Sequence, residues 1–471
     1  MGTPKRGEDG SSENAHLHEP SISMPISSGR AHTSCAEEAR RDDAAPPPVL
    51  DARSLGSALH IALGVVLTLA LGACGSLPRN PPPAEASFDT TIPGLPQVRA
   101  WAGRSSVSLE RDLALSFAQE RAQDFPRDAD GTVIYAHLAL SGGGANGAFG
   151  AGYLNGWSSA GTRPQFKIVT GVSTGALMAP FAFVGPDYDA ALRSFYTTTS
   201  TRDIFELGSV LLQLLVGEAL ADTRPLQALI ERHVDAELLR RVAENHRNGR
   251  RLYVGTSNLD MPRFVVWNMG AIADSGRPEA LALFRKLMLA SASIPVAFPP
   301  VFVEVELAPG GTRYDEMHVD GGLGARVFLN GGVFDGAVIR DRGGQGGKGR
   351  ENIFVIHNGQ LLPKPRPIRR SLPAIAERVI AATGQAAAFG DLYRIHSYAQ
   401  RNEALFQWIT IPEAVEVAGD EVFDPQRMAS LFDLGYRLAR EEVPWYTLPP
   451  GAGLQPEVLA PDMGKPPSSN Q

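Results

Sequence analysis

Two stretches decide the fold: Leu138-Ala139-Leu140-Ser141-Gly142-Gly143-Gly144-Ala145-Asn146-Gly147 and Phe166-Lys167-Ile168-Val169-Thr170-Gly171-Val172-Ser173-Thr174-Gly175. Each is an apolar strand pattern that runs into a glycine turn and then a helical segment. Gly171-Val172-Ser173-Thr174-Gly175 matches G-x-S-x-G, the sharp strand-to-helix elbow that lifts a serine hydroxyl above a parallel sheet. Gly171 and Gly175 leave room where a β-carbon would crowd the neighbouring strand or helix. Gly142 to Gly144 open the preceding helix, whose unpaired N–H groups and dipole suit a negative oxygen. A nucleophile and an anion cradle on adjacent strand ends are the two halves of an acyl-transfer site. The pattern implies an α/β serine hydrolase.

A rival must be met at the same residues. Gly142-x-Gly144-x-x-Gly147 also satisfies the dinucleotide fingerprint, which needs an acidic residue about 20 positions on to hold the ribose. No Asp or Glu occurs between Gly147 and Asp187, so neither a nucleotide partner nor a cofactor is expected. The 471 residues, 43% hydrophobic, suffice for one large α/β domain with accessories. A net charge of −7 argues against a nucleic-acid partner. Cys35 and Cys74 make neither a disulfide framework nor a metal cluster, and no metal is expected.

Residues 1–57 are polar and without periodicity, as in a disordered extension. Residues 58–73 are an apolar run of signal-peptide length, too short to span a bilayer comfortably. They lead into Leu71-Gly72-Ala73-Cys74, which resembles the lipobox of bacterial lipoproteins, where cleavage precedes the cysteine and the thiol receives diacylglycerol. Residues 74–100, with Pro81-Pro82-Pro83, read as the lipidated Cys74 and a tether. The resemblance implies membrane attachment by a lipid anchor in the bacterial cell envelope. Gly75 after the cysteine resembles lipoproteins sent to the outer membrane, which implies an outer-membrane location or one on the periplasmic face. The long stretch ahead of the apolar run implies a start downstream of Met1, near Val49, with Arg53 as the basic flank.

Residues 101–445 carry the catalytic-domain pattern, and 446–471 read as a disordered tail. Leu109 to Ala118 is an amphipathic helix. The stretch 204–220 is nearly all apolar and reads as a core helix, with a lipid-docking cap as the alternative. Thr223-Arg224-Pro225 opens a helix expected to run to Asn245. Strands are expected at 252–257, 264–267, 301–307 and 316–319, the last delivering Asp320-Gly321-Gly322. Residues 333–350 read as a mobile loop. Pro363 to Arg370 is either a basic linker or a membrane-facing segment.

The ordered set of motifs is more specific than any member. Gly142 to Gly147, the serine elbow, Ala290-Ser291 through Pro295 to Phe298-Pro299-Pro300, and Asp320-Gly321-Gly322 together resemble the patatin-like phospholipases. The resemblance spans Ala136 to Gly322 and continues through Ile353–His357 and Leu431–Ala439. It implies a three-layer α/β/α fold with a mostly parallel central sheet, acting on phospholipid or lysophospholipid esters through a Ser–Asp dyad. Ser173 would be the nucleophile and Asp320 the base, with the amides of Gly142, Gly143, Gly144 and Ala145 as the oxyanion hole. Gly147, Gly321 and Gly322 complete the motifs. The chain departs from the family at Asn146, where members carry Arg or Lys, and at Leu323-Gly324-Ala325-Arg326, where they often carry Asn and Pro.

The residues themselves leave the base open. A serine hydroxyl needs an adjacent base, and a carboxylate serves only where its proton affinity is raised. The chain order Ser…Asp…His also fits a triad, with His357 at a strand end as candidate and His318 and His396 behind it. Asp320 alone is also compatible with a turn aspartate bonding the amides that follow it. The glycine loop and Asp-Gly-Gly together favour the dyad. An alternative of another class is a non-catalytic lipid-binding envelope lipoprotein, which needs none of these groups.

Overall fold

The computed structural model describes residues 78–121, 123–207, 219, 221–342, 349–362, 365, 367–415 and 423–452. The chain divides into two units, Met1–Leu69 and Ala70–Gln471, and every described residue belongs to the second. The expected extension 1–57, the segment 58–73 and Cys74 lie outside the described residues.

Among the described residues nine strands form one sheet: β1 (Arg99–Trp101), β2 (Val133–Leu140), β3 (Phe166–Val172), β4 (Arg251–Asn258), β5 (Arg263–Asn268), β6 (Val301–Glu306), β7 (Arg313–Asp320), β8 (Gly349–His357) and β9 (Leu405–Thr410). Their order is β1-β5-β4-β3-β2-β8-β9, with β7 against β4 and β6 against β7. The five neighbours β4, β3, β2, β8 and β9 are parallel, and β1, β5, β6 and β7 join antiparallel. The inner strands carry apolar runs, Leu138–Leu140 in β2, Ile168-Val169 in β3 and Ile353–Ile356 in β8, because helices cover both faces.

Eight helices carry the argument: α1 (Val107–Ala118), α2 (Gly147–Ser159), α3 (Thr174–Val184), α4 (Arg224–His233), α5 (Ala236–Arg247), α6 (Ala280–Ser291), α7 (Leu372–Arg401) and α8 (Pro425–Arg440). Successive strand residues alternate between two cores, as the pleat requires. Leu138, Leu140, Val169, Leu252, Val254 and Ile356 point into one core with α2, α3 and α8. Ala139, Ile353 and Val355 point to the other side against α7, and Ile168 and Tyr253 against α1. The architecture is a three-layer α/β/α sandwich. Helix α2 lies close against α8: a β-carbon on Gly152 would sit 1.9 Å from the Phe432 carbonyl oxygen.

Several boundaries differ from the sequence expectation. Residues 78–100 pack onto the domain instead of extending as a tether. Arg79 pairs with Asp260 and Asp315 at 2.7 and 3.0 Å, and Ile92, Leu95 and Val98 are buried. The helix expected to Asn245 breaks at Val234, because Asp235 caps a new helix by accepting the Leu238 N–H at 2.8 Å. Of the apolar stretch 204–220, residues 208–218 and 220 lie outside the described residues. Glu206 and Leu207, near its start, form a short antiparallel ladder with Asp222 and Ala221, just past its end. The expected loop 333–350 contains a helix, Gly336–Arg342, and the start of β8, because Gly349 to Asn352 find partners along β2. Tyr446, expected in the tail, bridges to Trp408 and stacks on its ring at 4.7 Å. Among the described residues no helix is long and apolar enough to cross a membrane.

Candidate active site

The register of β4 brings the expected site together. Val172, the last residue of β3, pairs with Gly255. Asp320, the last residue of β7, pairs with Thr256, the next position on the same strand. One strand therefore ends where the other arrives, and Ser173 leaves the sheet beside Asp320. The Ser173 hydroxyl donates to Asp320 Oδ2 at 2.6 Å. Asp320 Oδ1 accepts the Gly322 N–H at 2.7 Å, and the Asp320 N–H donates to the Ser293 carbonyl at 2.7 Å. Both side chains are buried.

The elbow is strained. Ser173 has φ 55° and ψ −126°, a region costing on the order of 1–3 kcal/mol for a non-glycine residue. Its surroundings hold it there. The Ser173 N–H donates to Ser291 Oγ at 3.0 Å, and the Ser291 hydroxyl donates onward to the Gly255 carbonyl at 2.6 Å. A β-carbon on Gly175 would lie 2.3 Å from the Leu140 carbonyl oxygen, and one on Gly171 would lie 2.4 Å from the Gly175 carbonyl oxygen. One on Gly321 would meet the Gly255 carbonyl oxygen at 2.4 Å. These contacts leave the elbow no roomier alternative.

Across from the serine lies the glycine loop, a short 3-10 turn (Gly144–Asn146) running into α2. Asn358, just past β8, braces its entry. The Asn358 N–H donates to Ser141 Oγ at 2.8 Å, its amide nitrogen donates to the Ser141 carbonyl at 2.9 Å, and its Oδ1 accepts the Gly150 N–H at 3.1 Å. Gly143 passes so near that a β-carbon would fall 2.0 Å from the Asn358 carbonyl oxygen. Gly142 departs from its expected part: its N–H donates to the Arg326 carbonyl at 3.0 Å, which removes it from the free donors. The N–H groups of Gly143, Gly144 and Ala145 have no partner among the described residues. Gly147 lets α2 begin against α3, where a β-carbon would lie 2.2 Å from Thr174 Oγ1.

Residues 138–331, which include the glycine loop, the elbow and Asp-Gly-Gly, match the family model of patatin-like phospholipases. They form a patatin-like phospholipase domain. Among solved structures the chain is similar to VipD from Legionella pneumophila, at 11% identity and a TM-score of 0.33, over 68% of this chain and 70% of that one. No curated protein matches the chain. Lipid hydrolysis is the chemistry of this family.

Electrostatics of the patatin-like site suit a carboxylate base. Burial raises the Asp320 pKa above its ordinary value of 3.8, opposed by the Ser173 hydroxyl, the Gly322 N–H and the Arg326 charge. The three histidines lie elsewhere. His357 Nδ1 is 3.1 Å from Thr410 Oγ1, and burial lowers the ring's pKa to about 3. His318 lies between Thr256 Oγ1 at 2.9 Å and Glu316 Oε2 at 3.2 Å. His396 packs edge-on to Phe406. Among the described residues neither Ser173 nor Asp320 has a histidine hydrogen-bond partner, and no group of three or more His, Cys, Asp and Glu is arranged to hold a metal ion.

Three residues of the site carry no sequence signal of their own. Ser291 sits within the Ala290-to-Pro300 motif, where its type marks no role. Asn358 directly follows His357 at the strand end. Arg326 was visible only as a departure from the family. Its guanidinium lies against three glycines: hypothetical β-carbons on Gly142, Gly322 and Gly384 would be 3.6, 3.2 and 3.3 Å from its nitrogens. Among the described residues it makes no side-chain hydrogen bond or ion pair, while the Arg326 and Val327 N–H groups donate to Asp391 Oδ2 at 2.7 and 3.1 Å.

Proposed function

We propose that this domain is a lipid acyl hydrolase in which Ser173 and Asp320 cleave carboxylic esters of phospholipids or lysophospholipids. The observation that carries the proposal is the direct 2.6 Å hydrogen bond from the Ser173 hydroxyl to a buried carboxylate. Asp320 takes the hydroxyl proton as Ser173 Oγ attacks the acyl carbonyl. Collapse of the tetrahedral intermediate breaks the ester C–O bond, and the departing alkoxide takes the proton from Asp320. Water then delivers a proton to Asp320 and attacks the acyl-serine. The second collapse frees the fatty acid, and the proton returns to Ser173.

The free amides of Gly143, Gly144 and Ala145 support an oxyanion hole beside the nucleophile. Asn146 leaves the loop without its own cation. The Arg326 guanidinium lies beside Gly142 and Gly322 and is suited to supply positive charge as the oxyanion develops. A lipid-binding scaffold would need neither a strained serine nor unpartnered amides.

The site is tested by a fluorophosphonate, which labels a serine only where a base and oxyanion donors arm it. Adduct on Ser173, slowed in Asp320→Asn, is expected. An adduct on another residue, or none, contradicts the proposal. For localisation, the Leu71-Gly72-Ala73-Cys74 sequence after its apolar run supports lipid attachment at Cys74 in the bacterial envelope. Incorporation of labelled fatty acid, lost in Cys74→Ser, is the expected result.

A further inference from the structure

Helix α7 runs for 30 residues, but only its second half packs. Ala388, Asp391, Leu392 and Ile395 are buried, whereas the described residues from Ser371 to Thr383 are exposed or partly exposed. The projecting half is not polar. Leu372, Ile375 and Val379 are 81%, 46% and 57% exposed, and their i, i+3, i+7 spacing puts them on one face. Ile380, beside them, is 40% exposed. The turn after Asp320 touches α7, and it presents Leu323 with 54% exposed. Three residues past Ser293, whose carbonyl accepts the Asp320 N–H, Val296 is 59% exposed. It holds φ 71°, a region that a β-branched residue seldom enters.

Charge accompanies the apolar face. From Asn352 to Ala376 there is no Asp or Glu, while Lys364, Arg366, Arg369 and Arg370 fall within seven positions. Arg369 and Arg370 are exposed immediately before α7. In a chain of net charge −7, this local excess is a complement for anionic headgroups rather than a general feature. The face is also continuous with the site, because Gly384 marks where α7 meets the Arg326 guanidinium, one helical turn beyond Ile380.

We propose that the projecting half of α7, with Leu323 and the preceding arginines, is the surface by which the domain docks on an anionic lipid bilayer. Leu372, Ile375 and Val379 enter the acyl boundary, Arg369 and Arg370 meet lipid phosphates, and the active-site turn is brought to the membrane surface. The choice of a bilayer as partner rests on the lipid acyl hydrolase reading.

The test uses the full chain with Cys35→Ser and Cys74→Ser, which removes native thiols and any lipid anchor. A polarity-sensitive fluorophore is attached at Val379→Cys, or at Arg240→Cys on α5 as the control. Phosphatidylcholine vesicles containing phosphatidylglycerol are expected to shift the Val379 probe to the blue and leave the Arg240 probe unchanged. Vesicles of phosphatidylcholine alone should act more weakly, and Leu372→Asp with Ile375→Asp should lower vesicle affinity by about tenfold or more. No shift at Val379, an equal shift at both sites, or a shift that follows protein concentration without vesicles would overturn the proposal, the last by assigning the face to a second copy of the chain. The probe reports docking without turnover. Fatty-acid release without a shift removes only the docking surface, and a shift without release removes only the hydrolase.

Discussion

Ser173 and Asp320 meet because they follow consecutive positions on one edge of β4: Val172 opposite Gly255, then Asp320 opposite Thr256. The dyad distance is therefore a property of sheet register. A slip of one residue in β7 would carry Asp320 to the other face. Burial at this junction lifts the carboxylate's proton affinity above its ordinary value, toward that of a useful base.

The pH profile should show this lift. In the proposed mechanism Asp320 must be ionised to accept the serine proton, so kcat/KM should fall as pH drops through its raised pKa. The acid limb should lie above the ordinary carboxylate value of 3.8. The Arg326 charge lowers that pKa, so Arg326→Gln should move the limb to higher pH. It should also reduce kcat by about tenfold or more through the lost oxyanion charge. A limb unmoved by Arg326→Gln would show that the guanidinium does not act on the site.

Asn358→Ala should impair turnover without contact to any substrate. Its side chain ties Ser141 to Gly150 across the glycine loop, so its loss releases the loop that carries the free amides. A fall of about tenfold in kcat, with KM little changed, is expected from misplaced donors. Steady-state kinetics with a soluble ester measure it. A loss of thermal stability alone in Asn358→Ala, with kcat intact, would assign Asn358 a merely structural part.

Stability should respond to acid through Glu316. Burial raises its pKa, but His318 and Arg99 outweigh that and hold it near 2, below the ordinary 4.5. A depressed carboxylate stabilises above its unfolded pKa, and this contribution is lost as pH falls from about 4.5 to about 2. Glu316→Gln leaves Arg99 buried without its 2.6 Å partner, at a cost on the order of 3–5 kcal/mol. Denaturant midpoints at neutral and acid pH should converge in the variant and differ in the wild type.

Asp320→Asn should move stability the other way. A raised carboxylate pKa means that the fold disfavours the charged form above pH 3.8. Replacing it with a neutral isostere should raise the melting temperature while activity falls. A lower melting temperature would mean that the Ser173 hydrogen bond contributes more than the buried charge costs.

The three-layer fold, and the placing of Ser173 and Asp320 at strand ends, were legible because both depend on local signals. Paired glycines mark turns that no other residue fits, and the apolar runs of β2 and β3 mark buried parallel strands. What stayed hidden depends on contacts distant in sequence. Thr90 and Arg99 reach Glu316 more than 200 positions away, so a Pro-rich segment that reads as a tether is part of the domain. Gly142 looked like an oxyanion donor until the Arg326 carbonyl was found to occupy its N–H. Arg326 lies 153 positions beyond Ser173 in number, with no motif to join them. The break at Val234 was local, yet the apolar period ran through it, and only the Asp235 cap reveals two helices.

The most direct measurement of the central claim is fatty-acid release from phospholipid in mixed micelles, with a chelator present, by wild type, Ser173→Ala, Asp320→Asn and His357→Ala. Release by wild type and His357→Ala, with losses of about a hundredfold or more in the other two, is the result the dyad predicts. Loss of release in a folded His357→Ala protein, or retained release in Asp320→Asn, would contradict it.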